Sequence, residues 1–296
     1  MPERQPLQLY QMLVRMLKKL FNFFVNSSLW ITLCALLMIW QTNRLLLLQY
    51  DQCNFYLFVF FSTICSYNFH WYLTPDDPTS QSERIHWAAR HRKMMLVCCA
   101  IGAIGSAYFF WQLRAHWLEL CGAAFLTFLY SAPKVPHPSL RWLSKIAVGK
   151  TLFLTFVWTY VTTVLPALIA DHAATIPVIL FTLHRFALVY AICILFDNRD
   201  LEEDRKAGIR SLITHLSTKD LLRVYFASLL LAAVTAGALT PYADAPAIAS
   251  LLLAVLATAL ITRKAWTNNA DYLYYFVLDG FMMLSAVIHL LLVYCI

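Results

Sequence analysis

Asp197, Asp200, Glu202, Glu203 and Asp204 are five of the chain's 16 acidic residues, packed into one short stretch, LFDNRDLEEDRKAGIRSLITHL, that begins at the end of an apolar run. Arg199, Arg205, Lys206 and Arg210 are interleaved with them. If the apolar run is helical and continues, Asp197, Asp200 and Asp204 fall within about 60° of one another on a single face. Three carboxylates on one face repel each other, and a cation in front of them relieves the repulsion. Hard divalent ions such as Mg²⁺ take oxygen ligands and are commonly held by one or two carboxylates plus substrate phosphates. The adjacent basic residues suit the remaining phosphate oxygens, and Gly208 permits a turn close by. A charge run is more often a solvated helix end. This one abuts an apolar span, where carboxylates sharing a face point to function.

The elements that must position this stripe are membrane helices. The chain is 60% apolar and 13% charged, with a mean hydropathy of +0.62, which leaves too little polar surface for a soluble globule. Nine apolar runs are predicted as spans, near 21–41, 55–74, 94–112, 117–132, 151–170, 176–196, 221–239, 245–262 and 272–296. The fold class expected is an all-α, polytopic membrane bundle of nine transmembrane helices. It forms one domain over 1–296 with a cytoplasmic segment at 1–20. No cleavable leader is apparent. The eight cysteines make no metal-binding pattern and read as reduced small hydrophobes.

Charge sets the orientation. With the N-terminus in the cytoplasm, alternate loops collect 20 of the 23 Lys and Arg residues, while Arg44 and Arg114 fall outside and Arg185 within a span. This is a strong positive-inside bias. It puts the loops at 75–93, 133–150, 197–220 and 263–271 in the cytoplasm, with contact to anionic lipid. The basic residues are dispersed over separate loops, so nucleic-acid binding is not indicated.

DNRDLEEDRKAGIRSL resembles the second Asp-rich motif of the UbiA-type intramembrane prenyltransferases, DxxDxxxD followed by a basic residue, Gly and Ser/Thr. The matching positions are Asp197, Asp200, Asp204, Lys206, Gly208 and Ser211. The resemblance implies nine helices, a cytoplasm-facing cavity and two Asp-rich motifs that bind Mg²⁺ and an isoprenoid diphosphate. The expected location is a bacterial inner membrane. The first motif departs from the family form NDxxDxxxD: in YNFHWYLTPD only Asn68 and Asp76 match, and Phe69 and Tyr72 stand where carboxylates are expected. His70, His86 and His91 lie nearby. The segment YSAPK, with Tyr130, Ser131 and Lys134, and the later Lys145 and Lys150 resemble the family's basic loop.

The resemblance implies Mg²⁺-assisted transfer of an isoprenoid from a prenyl diphosphate to a lipophilic or aromatic acceptor. Asp197, Asp200 and Asp204 would be the catalytic metal ligands, with Asp76 opposite. Asn68, Lys134, Lys145, Lys206 and Arg210 would contact the diphosphate. Two other classes compete: a catalytically impaired member that binds lipid or a partner, favoured by the altered first motif, and a transporter, disfavoured by the absence of an inverted repeat. Arg185 and Asp279 are expected to be paired or functional at their depth. His184 and His289 should satisfy local hydrogen bonds. Trp71, Tyr72, Trp142 and Tyr274 read as interfacial belt residues.

Overall fold

The computed structural model describes residues 4–78, 80, 82–135, 150–172, 175–206 and 216–294, with backbone alone for 4–8, 133, 150 and 202–206. The described residues contain helices and no strand. In order these are α1 (Arg4–Asn26), α2 (Leu29–Leu45), α3 (Gln52–Leu73), α4 (Glu83–Arg90), α5 (Arg92–Gln112) and α6 (Trp117–Ser131). They are followed by α7 (Lys150–Thr159), α8 (Leu165–Ile169), α9 (Ile176–Lys206), α10 (Thr218–Ala238), α11 (Ala245–Thr267) and α12 (Asp279–Tyr294).

Local chemistry sets the boundaries. Asp51, Ser217 and Asp244 cap α3, α10 and α11 by accepting the backbone N–H of Asn54, Asp220 and Ala247. Pro166 has no N–H to offer the carbonyl of Thr162. The chain passes through a π-helical segment, Tyr160–Val164, between α7 and α8. The Thr162 carbonyl instead accepts the Thr42 hydroxyl at 2.6 Å, so a helix defect becomes a tie between α2 and this span. A second π-helical segment, Leu273–Leu278, leads into α12.

All nine predicted apolar runs fall on helices, but they are not equally built to cross a bilayer. Six segments are long and apolar enough: 92–112, 151–169, 176–201, 218–238, 245–267 and 273–294. The α1–α2 pair, bent by 58°, is a seventh candidate. The bend follows Ser28, whose φ of 72° is left-handed. The α2 and α6 helices have 17 and 15 residues, short of the ~20 that an untilted crossing needs. The 1–20 segment, expected only as a cytoplasmic extension, is helical from Arg4 onward.

Packing follows a ring: α3 on α2, α2 on α12, α12 on α11, α11 on α10, α10 on α9, α9 on α7, α7 on α6, and α6 back on α3, with α5 held outside against α3. The most continuous core segment is Ala187–Leu195 of α9, buried throughout. It carries the acidic stripe at its C-terminal end. A helix so enclosed positions Asp197 and Asp200 rigidly, because each residue of its last apolar turns is locked by neighbours.

Candidate active site

The stripe emerges where α9 leaves the core. Asp197 is 6% exposed and Asp200, one turn on, is partly exposed. The backbone of α9 continues helically through Asp204 and Lys206, so the three aspartates share the expected face. Lys145 and Arg210 lie outside the described residues, as does Trp142.

Arg199 organises this end of the bundle. Its Nε donates to Asp200 Oδ1 at 2.9 Å, one terminal nitrogen donates to the Tyr275 hydroxyl at 2.7 Å, and the other approaches Asp271 at 3.5 Å. Its guanidinium also stacks on the rings of Tyr274 and Tyr275, 4.7 Å from each centroid. Arg84 lies over Tyr275 (4.6 Å) and Trp71 (4.4 Å), and its backbone N–H donates to Asp271. Burial pulls the pKa of Arg84 down, while Tyr275, Asp279 and Asp271 hold it up. Two arginines thus interleave with Trp71, Tyr275 and Tyr274, a stabilising arrangement for desolvated guanidiniums. Trp71 and Tyr274 are therefore part of this cluster and not belt residues. Tyr274 is fully buried and donates to the Ala265 carbonyl.

On the α3 side, Lys134 Nζ donates to His70 Nε2 (2.7 Å) and to Thr74 Oγ1 (2.7 Å). An ammonium has no lone pair, so Nε2 must accept and the ring proton sits on Nδ1, which donates to Ser131 Oγ at 3.3 Å. His70 stacks on Tyr130, and Lys134 lies 5.6 Å from the Trp71 ring. Since Trp71 meets Tyr275 edge-on, the Lys134–His70 pair and the Arg199–Asp200 pair belong to the same end of the bundle.

The α3 side of this polar end, at His70, Tyr130 and Ser131, borders an apolar cavity of about 710 Å³. Its walls come from α3, α5, α6 and α7, and include Phe58, Phe69, His70, Phe110, Tyr130 and Trp158. The volume and lining are those of a small-molecule site.

Several expected residues are not brought to it. Asn68 is fully buried, and its amide donates to the carbonyls of Ile64 (2.8 Å) and Ser27 (3.3 Å). It joins α3 to the turn between α1 and α2 and has no donor left for a diphosphate. Asp76 follows Pro75 on an exposed loop, with His86 at 4.0 Å. Among the described residues no three His, Cys, Asp or Glu side chains converge to hold a metal. Arg185 does not pair with Asp279. Its guanidinium donates to the Met38 carbonyl, Gln41 Oε1 and the Thr162 hydroxyl, while Asp279 sits in the electrostatic reach of Arg84. His184 bonds the Ala232 carbonyl as expected. His289 is buried, and among the described residues neither nitrogen has a hydrogen-bond partner, the nearest acid being Asp244, 3.9 Å from Nε2.

Sequence reasoning missed Arg84, Asp271 and Tyr275. Arg84 looked like one more topogenic cation. Asp271, a lone acid in a basic loop, was its only cue.

Family-model comparison matches residues 88–284 to the UbiA prenyltransferase family. The chain belongs to that family and is an integral, multi-pass membrane protein. Its fold is similar to the apo structure of a UbiA homolog from Aeropyrum pernix K1, with a TM-score of 0.64, 17% identity, and 87% of this chain and 94% of that chain covered. No curated protein sequence matches it.

The family implies Mg²⁺. The all-oxygen donor set of Asp197 and Asp200, with Asp204 a turn further along α9, fits one hard cation that shares its ligands with a substrate. The α3 side does not fit a second, because Phe69 and Tyr72 stand where carboxylates are expected and the polar groups beside them are His70 and Lys134.

Proposed function

We propose that this protein transfers an isoprenoid chain from a prenyl diphosphate to a lipophilic or aromatic acceptor, at the cytoplasmic face of the membrane. The observation that carries this reading is the Lys134–His70 pair at the polar end of an apolar cavity, joined through Lys134 over Trp71 and Trp71 against Tyr275 to the Arg199–Asp200 pair of α9. An amphiphile with an anionic head and a hydrocarbon tail has the complementary shape and charge.

Asp197, Asp200 and Asp204 would hold Mg²⁺, which when bound supplies positive charge to a leaving diphosphate. Lys134 donates hydrogen bonds to diphosphate oxygens from the opposite side, and Lys145, Lys206 and Arg210 are proposed to do the same from the flanking loops. These cations stabilise the charge that grows on the diphosphate as the allylic C–O bond breaks. The aromatic and aliphatic cavity walls exclude water, so the cation-like allylic carbon meets the acceptor and not a hydroxyl. Arg199 and Tyr275 orient Asp200.

The test is turnover of a prenyl diphosphate by Asp197→Ala and Asp204→Ala in reconstituted membranes. Each should lose about 100-fold or more while inserting normally. Full activity in both would reduce the stripe to a solvated helix end. A second reading, a family member that binds isoprenoid without turnover, is favoured by Phe69 in the cavity wall and by the inward turn of Asn68. It would show as prenyl diphosphate binding with no product and no effect of the Asp197 substitution.

A further inference from the structure

Away from the site, the surface least covered by protein is that of α1. Every residue from Leu9 to Leu20 is exposed, and only the last turns of the helix reach the bundle. There Phe21 meets Phe276 edge-on at 4.9 Å and Tyr272 at 5.9 Å, Phe24 meets Trp30, and Val25 is buried. Tyr275, which bonds Arg199, lies between Tyr272 and Phe276 in sequence. The α1 helix therefore leaves the bundle at the end that holds the acidic stripe.

Its exposed residues are sorted by face. At ~100° per residue, Leu9, Met12, Leu13, Met16, Leu17 and Leu20 share an arc of about 140°. Phe24 falls on the same arc and Phe21 beside it, so the face that touches the bundle at the last turns runs on, uncovered, toward the N-terminus. Gln11, Arg15, Lys18, Lys19 and Asn22 occupy a separate arc of about 100°. The helix contains no acid.

The two arcs together say what covers them. A bilayer crossing would place Arg15, Lys18 and Lys19 in hydrocarbon with no acid of α1 to pair them, which is costly. Two α1 helices packed face to face would cover the apolar arc and leave the cations without anions. An anionic leaflet serves both, acyl chains taking one arc and phosphates the other. The geometry agrees. The 58° bend after Ser28 turns α1 out of line with α2. Leu9–Asn26, about 27 Å long, then rises only about 14 Å along the α2 direction, little more than a helix diameter and less than half of a hydrocarbon core of ~30 Å.

We propose that α1 is an interfacial helix that seats on an anionic lipid leaflet, with its apolar arc at the acyl boundary and Arg15, Lys18 and Lys19 against lipid phosphates. Phe21 and Phe24 moor it to Trp30 and to the segment that carries Tyr275. The proposal does not depend on the transferase reading.

The test is hydrogen exchange of the full chain in nanodiscs that hold one copy each, made of phosphatidylcholine alone or of an equal mixture with phosphatidylglycerol. Exchange of residues 9–20 should slow when phosphatidylglycerol is present. The triple variant Arg15→Gln, Lys18→Gln, Lys19→Gln should lose that gain by about fivefold per cation, and high salt should do the same to the unaltered chain. The double variant Leu13→Gln, Leu17→Gln should exchange faster in both lipids. All five side chains are exposed, so both variants should keep the protection of Ala187–Leu195, which reports an intact bundle. Equal exchange of 9–20 in the two lipids would overturn the proposal, as would a gain that survives the triple variant. Equally slow exchange, with Lys18 and Lys19 closed to a water-soluble acylating reagent, would mean that α1 crosses the bilayer. Protection that appears only in discs holding two copies would assign the face to a second copy of the chain.

Discussion

Arg199 neutralises Asp200, its own neighbour in the chain, through a 2.9 Å hydrogen bond from Nε to Oδ1. The middle carboxylate of the stripe is thus held in one rotamer before any cation arrives. The same guanidinium reaches the Tyr275 hydroxyl and Asp271, so one side chain ties the end of α9 to the entry of α12. Removing it leaves the half-shielded Asp200 without its 2.9 Å partner, while Asp271 keeps the hydrogen bonds from the Ser82 hydroxyl and the Arg84 N–H. Arg199→Ala is expected to destabilise the protein by about 3 kcal/mol, read as a lowered thermal midpoint in detergent. Arg199→Lys keeps the charge but cannot reproduce the planar fork or the stacking, and should fall between the two. An unchanged midpoint in the alanine variant would mean that the cluster does not hold the helices together.

Asn68 gives a sharper test, because its two possible roles predict opposite outcomes. As a ligand it would be improved by a carboxylate. As placed, its amide donates to two carbonyl oxygens in a fully buried position. Asn68→Asp would turn an acceptor toward two acceptors, at a cost of about 2–4 kcal/mol or protonation of the new acid. The expected result is a less stable protein with no tighter Mg²⁺ binding, measured by thermal unfolding and by titration with Mg²⁺ and diphosphate. A stable variant with tighter binding would return Asn68 to the site.

These two residues also mark what the sequence could reveal. The acidic stripe was legible because helical periodicity alone fixes which side chains of a single helix share a face. The nine apolar runs were legible because burial in lipid requires continuous hydrophobicity. Contacts between helices were not. Asn68 matched a motif position, yet its orientation depends on where α2 begins, which is set by the left-handed turn at Ser28. Arg185 and Asp279 looked like partners because both are charged at depth. In the folded chain neutral acceptors hold Arg185, and Asp279 lies instead in the electrostatic reach of Arg84, on a short amphipathic helix. Trp71 and Tyr274 sat near span ends, where belt residues are common, and only the fold shows that they enclose two guanidiniums.

Close helix approach produces a further expectation. A Cβ added at Gly102 on α5 would stand 2.7 Å from the Cys65 nitrogen and 2.8 Å from the Phe61 carbonyl oxygen, both backbone atoms of α3. Backbone cannot step aside, so Gly102→Ala must separate α3 from α5, as expected of small-residue contacts between membrane helices. The cost is about 1–3 kcal/mol. A Cβ at Gly105 would stand 2.3 Å from Phe61 Cγ, so Phe61 must change its χ1 rotamer and leave its stack on Phe109; a side chain can make that move where backbone cannot, and Gly105→Ala should cost less. Thermal midpoints of the two variants would show the order, and a reversed order would contradict the packing of α3 on α5.

Phe69 and Tyr72 stand where the family motif has carboxylates, and the structure separates them. Phe69 lines the cavity and Tyr72 does not. A carboxylate at Phe69 would enter next to His70 and Lys134, at the polar end, and could share a cation with the α9 aspartates through the diphosphate. One at Tyr72 would gain no such neighbour. Phe69→Asp should therefore tighten Mg²⁺-dependent diphosphate binding by about tenfold, the effect of one added charge-assisted contact, and Tyr72→Asp should leave it unchanged. Isothermal titration with and without Mg²⁺ separates the metal-dependent gain from simple repulsion of the diphosphate, which would appear as weaker binding in metal-free buffer. If Tyr72→Asp alone gave the improvement, α3 would have to be rotated from its present position by most of a quarter turn, and the assignment of the cavity wall would fall with it.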